Sequence, residues 1–169
     1  MIPMLQHPER AIISAQLRQN EVLKGMPDEI REELERTLTI VDGAKSDFLL
    51  SQGVREMEQY FILDGVLKRT VSNAEGKEMI LRFAAEGDME TSYAAWRMGT
   101  PTPYSIVCVT KARVARLPLP QWVDFLERHR ETKDLFESAV MRLMTEVMGH
   151  TITLHLLDAP GRVHRFLRK

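Results

Sequence analysis

The spacing of hydrophobic residues divides the chain into regions of different character. Residues 1–47 contain two stretches with helical periodicity, 11–23 and 28–38, and the second carries acidic residues in its first turn. From residue 48 the pattern changes to short runs rich in valine, isoleucine, tyrosine and phenylalanine, which predict β-strands. These runs cover residues 48–50, 60–63, 66–67, 79–81, 105–109 and 114–117.

Polar segments separate the predicted strands. Residues 72–76 have the sequence Ser-Asn-Ala-Glu-Gly, which is typical of a hairpin loop. Several short strands separated by turns favour a sandwich, jelly roll or barrel over a doubly wound parallel sheet. We therefore predict N-terminal helices over 1–47 and a mainly β domain over 48–131, which ends in a short helix at 121–129.

One long helix is predicted for residues 132–157, where hydrophobic residues recur at alternating intervals of four and three. This spacing is typical of a helix that packs against another helix along its length, so we expect a homodimer; the alternative is a helix buried on its own domain. Met141, Met144 and Met148 form a second stripe, which we interpret as packing over the β domain. The predicted dimer seam consists of Phe136, Val140, Leu143, Val147, His150, Leu154 and Leu157.

The segment 158–169 follows the long helix and differs from it. Pro160 interrupts helical hydrogen bonding and Asp158 can cap a new helix, so we predict a hinge at Asp158, Pro160 and Gly161. The remaining residues combine a short apolar face with four basic side chains. Such a helix has too few apolar residues to pack alone, so we expect it to begin a further domain that is mostly absent from this chain.

Composition narrows the classes of protein to consider. The chain has 169 residues, of which 44% are hydrophobic and 28% charged, which excludes a disordered or disulfide-dense chain. Its net charge of -1 gives no general attraction for nucleic acid or anionic lipid. Cys108 is the single cysteine and lies in an apolar run, so we expect a buried, unreactive thiol in a reducing compartment. Because no apolar run approaches the about 20 residues of a membrane span, we expect a cytoplasmic protein.

The sequence offers little material for catalysis or metal binding. None of the five histidines lies between residues 8 and 128, which argues against a metal centre of the cupin type in the β domain. No nucleophile and base, glycine-rich phosphate loop or pair of carboxylates occurs at a convincing spacing, so we predict no enzyme and no catalytic or metal-binding residues. His150 occupies a seam position, where we expect it to set the register of the helices. The alternatives are a pH-sensitive pair with its symmetry mate, a metal ligand across the dimer axis and an axial ligand for haem.

Several segments carry a resemblance to a known family. Residues 50–53 (Leu-Ser-Gln-Gly), 60–65 (Tyr-Phe-Ile-Leu-Asp-Gly), 75–81 (Glu-Gly-Lys-Glu-Met-Ile-Leu) and 86–88 (Glu-Gly-Asp) resemble successive strand and turn signatures in the effector domain of the Crp/Fnr transcription regulators. Residues 157–163 are similar to the hinge before that family's winged helix-turn-helix. The resemblance implies a double-stranded β-helix (jelly roll) of cyclic-nucleotide-binding type, followed by a dimerisation helix and a DNA-binding domain.

The resemblance breaks down at the residues that bind cAMP in members of that family. Counting without gaps from the Gly-Asp turn at 87–88, the Gly-Glu pair that binds the ribose falls on Thr91 and Ser92. The Arg-Ser pair that binds the cyclic phosphate falls on Thr102 and Pro103. A buried phosphodiester needs a cation or several donors, and none of the four residues matches. We therefore expect a regulator that does not respond to cAMP.

The replacing segment is aromatic and weakly polar. Its side chains can line a pocket for an uncharged or aromatic effector, with one arginine as a substitute for the missing cation; the alternative is that the aromatic rings fill the cavity. The candidate pocket residues are Thr91, Ser92, Tyr93, Trp96, Arg97, Thr102 and Tyr104.

These observations predict an effector-sensing and dimerisation unit of a DNA-binding transcription regulator, whose cofactor, if any, stays unidentified. An effector would bias the long helix and the hinge, and so reset the spacing of two recognition helices on DNA. The alternative is a stand-alone regulatory or interaction module of cyclic-nucleotide-binding-like or cupin-like type, without DNA binding. A reading frame that continues into a helix-turn-helix would distinguish the two.

Overall fold

A computed structural model describes the backbone of residues 1–158 and the side chains as far as residue 150. The N-terminal helices are shorter than the periodicity predicts, because the chain turns after Leu17 and again after Glu35. The N-terminal region contains strand β1 (Ile2–Pro3), a 3-10 turn (Met4–Gln6), helix α1 (Arg10–Leu17) and helix α2 (Asp28–Glu35).

In the described part of the chain, nine antiparallel strands form two facing sheets. The five-stranded sheet has the order β1-β2-β9-β4-β7, and the four-stranded sheet has the order β3-β8-β5-β6. This arrangement confirms the predicted jelly roll. The strands after β1 are β2 (Thr39–Gly43), β3 (Phe48–Leu50), β4 (Glu58–Asp64), β5 (Val66–Ser72), β6 (Glu78–Ala85), β7 (Met89–Thr91), β8 (Ser105–Cys108) and β9 (Ala112–Pro118).

Three of these strands were not predicted from the sequence. Strands β1 and β2 lie within the region that we expected to be helical; β1 pairs with β2, and β2 pairs with β9 over its whole length. Strand β7 is only three residues long and pairs with β4 from Gln59 to Phe61. All three are set by pairing with distant strands rather than by a long apolar run of their own.

The predicted hairpin loop joins β5 to β6. Asn73 Oδ1 accepts hydrogen bonds from the backbone N–H groups of Glu75 (3.1 Å) and Lys77 (2.9 Å). Gly76 has φ +80°, a left-handed conformation that favours glycine. The hairpin therefore projects as an ordered element beside the long C-terminal helix.

Side chains of β4 alternate between two cores. Phe61 and Leu63 face the helices, whereas Tyr60 and Ile62 face the interior of the roll. The helical side is capped by three helices, of which α4 buries Trp122 and packs it against Phe61. These helices are α3 (Tyr93–Met98), α4 (Leu119–Arg128) and α5 (Arg130–Asp158).

Helix α5 covers the whole range in which one long helix was predicted. Its Phe136, Val140 and Leu143 are buried in the core of their own domain, and Val147 is half-buried against the same core. The first part of the predicted seam is therefore already covered within the chain. His150 is exposed.

Other predicted seam and hinge positions lie at or beyond the limit of the description. The side chains of Leu154 and Leu157 lie outside it, as do Pro160 and Gly161 altogether. Asp158 is the last residue of α5. The hinge and the distal seam stay predictions.

The methionine stripe lies on an exposed flank of α5, beside its buried face. Met141, Met144 and Met148 are 66%, 48% and 64% exposed. The interpretation that they pack over the β domain is wrong, because the side of α5 that packs there is the one that carries Phe136 and Leu143. None of the helices within residues 1–158 combines the length and the apolar character that a membrane crossing requires.

Candidate functional site

Two arginines meet inside the roll. Arg69 on β5 and Arg82 on β6 are cross-strand partners, which places two guanidinium groups on neighbouring strands. Like charges at such positions repel unless a counter-ion lies between them. Glu90 on β7, a strand of the other sheet, supplies that counter-ion.

The Glu90 carboxylate has donors on several sides. Arg69 Nε lies 3.2 Å from Oε1 and 3.3 Å from Oε2, and Arg69 Nη2 also donates to Oε1. Arg82 Nη1 donates to Oε2 at 3.1 Å, and the Thr91 backbone N–H donates to Oε1 at 3.3 Å. The side chains of Arg69, Arg82 and Glu90 are 7%, 10% and 1% exposed. We call Arg69, Arg82 and Glu90 the charged cluster.

Tyr104 closes the charged cluster from the loop before β8. The Arg69 guanidinium lies 3.9 Å from the centre of the Tyr104 ring, within cation–π range. The Tyr104 hydroxyl donates to the Thr91 carbonyl, which also accepts from Arg69 Nη2 at 3.3 Å. These contacts tie the loop to β7 and to β5.

Protonation states follow from burial and from these contacts. Burial raises the pKa of the Tyr104 hydroxyl, although the Arg69 charge opposes this shift. Burial lowers the pKa of Arg69, but the negative charge of Glu90 outweighs it and the net shift is upward. Arg69 therefore stays charged and Tyr104 stays protonated near neutral pH.

The structure brings some of the predicted pocket residues together. Thr91, Ser92 and Tyr104 lie at or beside the charged cluster and are buried or half-buried. Thr102 is also buried, but its hydroxyl donates to the Val54 carbonyl at 2.8 Å and holds its own loop in place. Tyr104 and Thr91 contact members of the charged cluster directly.

The other three predicted pocket residues lie on the helical side. Tyr93 packs edge-on against Phe136 on α5 at 5.2 Å, and Trp96 stacks on Tyr93 at 6.5 Å. Arg97 donates to the Tyr93 hydroxyl at 3.1 Å and is exposed. These residues join α3 to the helical core instead of lining the charged cluster.

Sequence reasoning missed all three members of the charged cluster. The available signal was charge at inward positions of strands. Arg69 follows the predicted run at 66–67, Arg82 follows the run at 79–81, and Glu90 stands between two uncharged residues. Each resembles an ordinary solvent-facing residue until the strands are paired.

The charged cluster reaches the long helix through Arg82. Its Nε lies 3.6 Å from Glu146 Oε2 on α5. The exposed Glu21, from the turn after α1, interacts electrostatically with both Arg82 and Glu146. The roll interior, the N-terminal region and α5 are thus linked by one set of charges.

A separate groove lies between the β5–β6 hairpin and α5. It has a volume of about 630 Å³, and its lining is mostly apolar. Met79 and Phe83 are exposed there, and His150 of α5 closes one side.

Known structures share this fold. The N-terminal domain of a transcriptional regulator from Streptomyces coelicolor A3(2) is 20% identical, with a TM-score of 0.58, covering 78% of this chain and 93% of that one. The Thermus thermophilus catabolite activator protein is 14% identical, with a TM-score of 0.67, covering 85% of this chain and 67% of that one. A CooA mutant from Carboxydothermus hydrogenoformans is also 14% identical, with a TM-score of 0.68, covering 89% of this chain and 96% of that one.

The family assignment comes from the sequence. No curated protein sequence matches the chain significantly. The family model of the cyclic nucleotide-binding domain matches residues 42–129, from strand β2 through helix α4. That span holds the end of β2 and strands β3 to β9, together with the charged cluster. The chain belongs to the cyclic nucleotide-binding domain family.

Proposed function

We propose that this chain is the effector-sensing and dimerisation part of a DNA-binding transcription regulator of Crp/Fnr type, and that cAMP is not its effector. The observation that carries the proposal is the outer face of α5, formed by Met141, Met144 and Met148. The shared fold with a transcriptional regulator and with the catabolite activator protein supports it.

Helix α5 has two apolar faces, one buried and one exposed. The inner face packs on its own domain through Phe136, Val140 and Leu143. The outer face repeats at intervals of three and four residues and is exposed. From Leu143 the helix runs to Asp158, which is about 22 Å at about 1.5 Å per residue. A two-fold pairing with the same helix of a second copy would cover such a stripe.

The contacts of α5 also give an effector a way to act. An effector at the roll interior would alter Arg82, and Arg82 contacts Glu146 on the helix that carries the outer face. Binding that favours one position of α5 shifts the population of dimers between two arrangements. A DNA-binding domain that follows α5 would respond to that shift. The protein acts by binding, not by catalysis.

Sedimentation equilibrium tests the dimer directly. We expect the chain to be a dimer at micromolar concentration, and a variant with Met141→Ser, Met144→Ser and Met148→Ser to dissociate at least tenfold more readily. Met98→Ser is the matched control, because Met98 is an exposed methionine on α3. A chain that stays monomeric at about 100 µM would contradict the proposal and favour the stand-alone module. A dimer that the triple change leaves intact would place the interface elsewhere.

A further inference from the structure

The surroundings of Glu90 have the composition of an oxyanion site. Its carboxylate is held by the guanidinium of Arg69, by Nη1 of Arg82 and by the backbone N–H of Thr91. Planar guanidinium groups and backbone amides are the donors that proteins use for carboxylate and phosphate ligands. In this chain the carboxylate held by these donors is the side chain of Glu90 and not a ligand.

Because these side chains are buried, their pairing has a large effect on free energy. A buried guanidinium without a counter-ion is strongly unfavourable, and the Glu90 carboxylate is the acid that pairs with Arg69. Arg82 differs, because it also lies 3.6 Å from Glu146 and interacts with Glu21. Removing the charge of Glu90 would therefore take the carboxylate partner from Arg69, whereas Arg82 would keep Glu146.

An external anion would compete with Glu90 for the same donors. Glu90 is already positioned by the fold, so it has no association entropy to lose, whereas a free anion does. A second negative charge beside Glu90 would also be repelled where solvent is excluded. The internal carboxylate therefore has the advantage.

We infer that Glu90 is the internal occupant of an oxyanion site formed by Arg69, Arg82 and the Thr91 amide, and that it makes the roll interior reject anionic ligands. This deepens the proposed function, on whose sensing role it rests, by restricting the effector of this interior to uncharged molecules. Glu90 is then a specificity-determining residue. Its conversion to an uncharged side chain opens the site to a small oxyanion.

Inorganic phosphate is the probe for this site. Glu90→Ala removes the carboxylate and vacates the space that it fills between the donors. We expect phosphate, titrated calorimetrically at constant ionic strength with sodium chloride, to bind Glu90→Ala at least tenfold more tightly than the unaltered chain. Glu146→Gln is the matched control: it removes a carboxylate from Arg82 but leaves the pair of Arg69 and Glu90, so its phosphate affinity should equal that of the unaltered chain.

A second readout and a second variant keep the test decisive if Glu90→Ala folds poorly. Phosphate should then restore the circular dichroism spectrum of Glu90→Ala, while sodium chloride at equal ionic strength should not. The double variant Arg69→Gln with Glu90→Gln removes both charges and should fold without responding to phosphate.

Two results would overturn the inference. One is a phosphate affinity of Glu90→Ala within twofold of the unaltered chain, with no rescue of folding. The other is tight binding of phosphate or cAMP by the unaltered chain. Neither result depends on the dimer, so sedimentation of the same samples shows separately whether the dimerisation proposal stands.

Discussion

The interior of the roll holds buried charges and the outer face of α5 holds exposed methionines, and the two differ in whether these side chains have partners within the chain. Inside the roll, the charges of Arg69, Arg82 and Glu90 are removed from water, but they are paired with one another. On α5, Met141 and Met148 are about two-thirds exposed, although methionine gains free energy by leaving water. The charges of the interior are paired within one chain, whereas this face of the helix is exposed. This difference supports the two proposals, partner binding by α5 and ligand discrimination by the roll.

The largest effect should come from the inner face of α5. Phe136 is fully buried and packs edge-on against Tyr93 at 5.2 Å and Trp122 at 5.4 Å. Phe136→Ala should lower the free energy of unfolding by about 3–5 kcal/mol, as lost burial and a cavity add. Urea denaturation at fixed protein concentration measures this. Leu135→Ala, at the neighbouring exposed position, is the control and should cost about 1 kcal/mol or less. Equal losses in the two variants would contradict the assignment of the inner face.

The second largest effect on the free energy of unfolding should come from the charged cluster. Arg69→Gln leaves the buried Glu90 carboxylate with Arg82 as its remaining cation, so we expect a loss of about 3 kcal/mol, at the low end for a broken buried pair. The same urea experiment applies. Lys68→Gln changes an adjacent, more exposed cation that pairs with Glu78, and should alter stability by about 0.5 kcal/mol or less. A loss below about 1 kcal/mol in Arg69→Gln would mean that the cluster is not closed to water.

A smaller, pH-dependent effect should come from Glu21, which interacts with Arg82 of the charged cluster and with Glu146 of α5. Burial, and then the charge of Asp88, raises the pKa of Glu21 above its ordinary value of 4.5. Between about pH 4.5 and the raised pKa, the folded chain binds the Glu21 proton more tightly than the unfolded chain does. The free energy of unfolding therefore falls as pH rises through this range. Glu21→Gln should remove this fall, which is below about 1 kcal/mol because the residue is exposed.

Urea midpoints of Glu21→Gln and the unaltered chain between pH 4.5 and 7 measure this difference. The two curves should diverge as pH rises, with the variant more stable at pH 7. Glu75→Gln, in the exposed hairpin loop, should follow the unaltered chain. Parallel curves for all three chains would show that Glu21 does not titrate differently on folding.

The smallest effect on the folded subunit should come from the outer face of α5. Met148→Ser should change the unfolding free energy of the subunit by about 0.5 kcal/mol or less, because the side chain has few contacts to lose. It should nevertheless weaken the dimer, measured by sedimentation. Denaturation at low and high protein concentration separates the two effects. A loss in the monomer comparable to that of Phe136→Ala would show that Met148 belongs to the subunit core.

Local pattern was sufficient for much of the fold. Alternating apolar runs and polar loops predicted six of the strands, the hairpin at 72–76 and the long helix, because each depends on neighbours in sequence. The strands β2 and β7 were missed, since they are short and are stabilised by pairing with β9 and β4. The resemblance to the Crp/Fnr effector domain likewise rested on motifs that are contiguous in the chain.

Other features could be decided only by the folded chain. Phe136, Leu143, Met141 and Met148 all follow helical spacing, and periodicity cannot say which stripe meets the chain's own core, since both satisfy it equally. The pairing of Arg69 with Glu90 joins residues 21 positions apart on different sheets, so no local window contains it. Amino-acid order was enough to specify the elements and the family. Contacts across the two sheets determined which charges are buried together and which helix face is left uncovered.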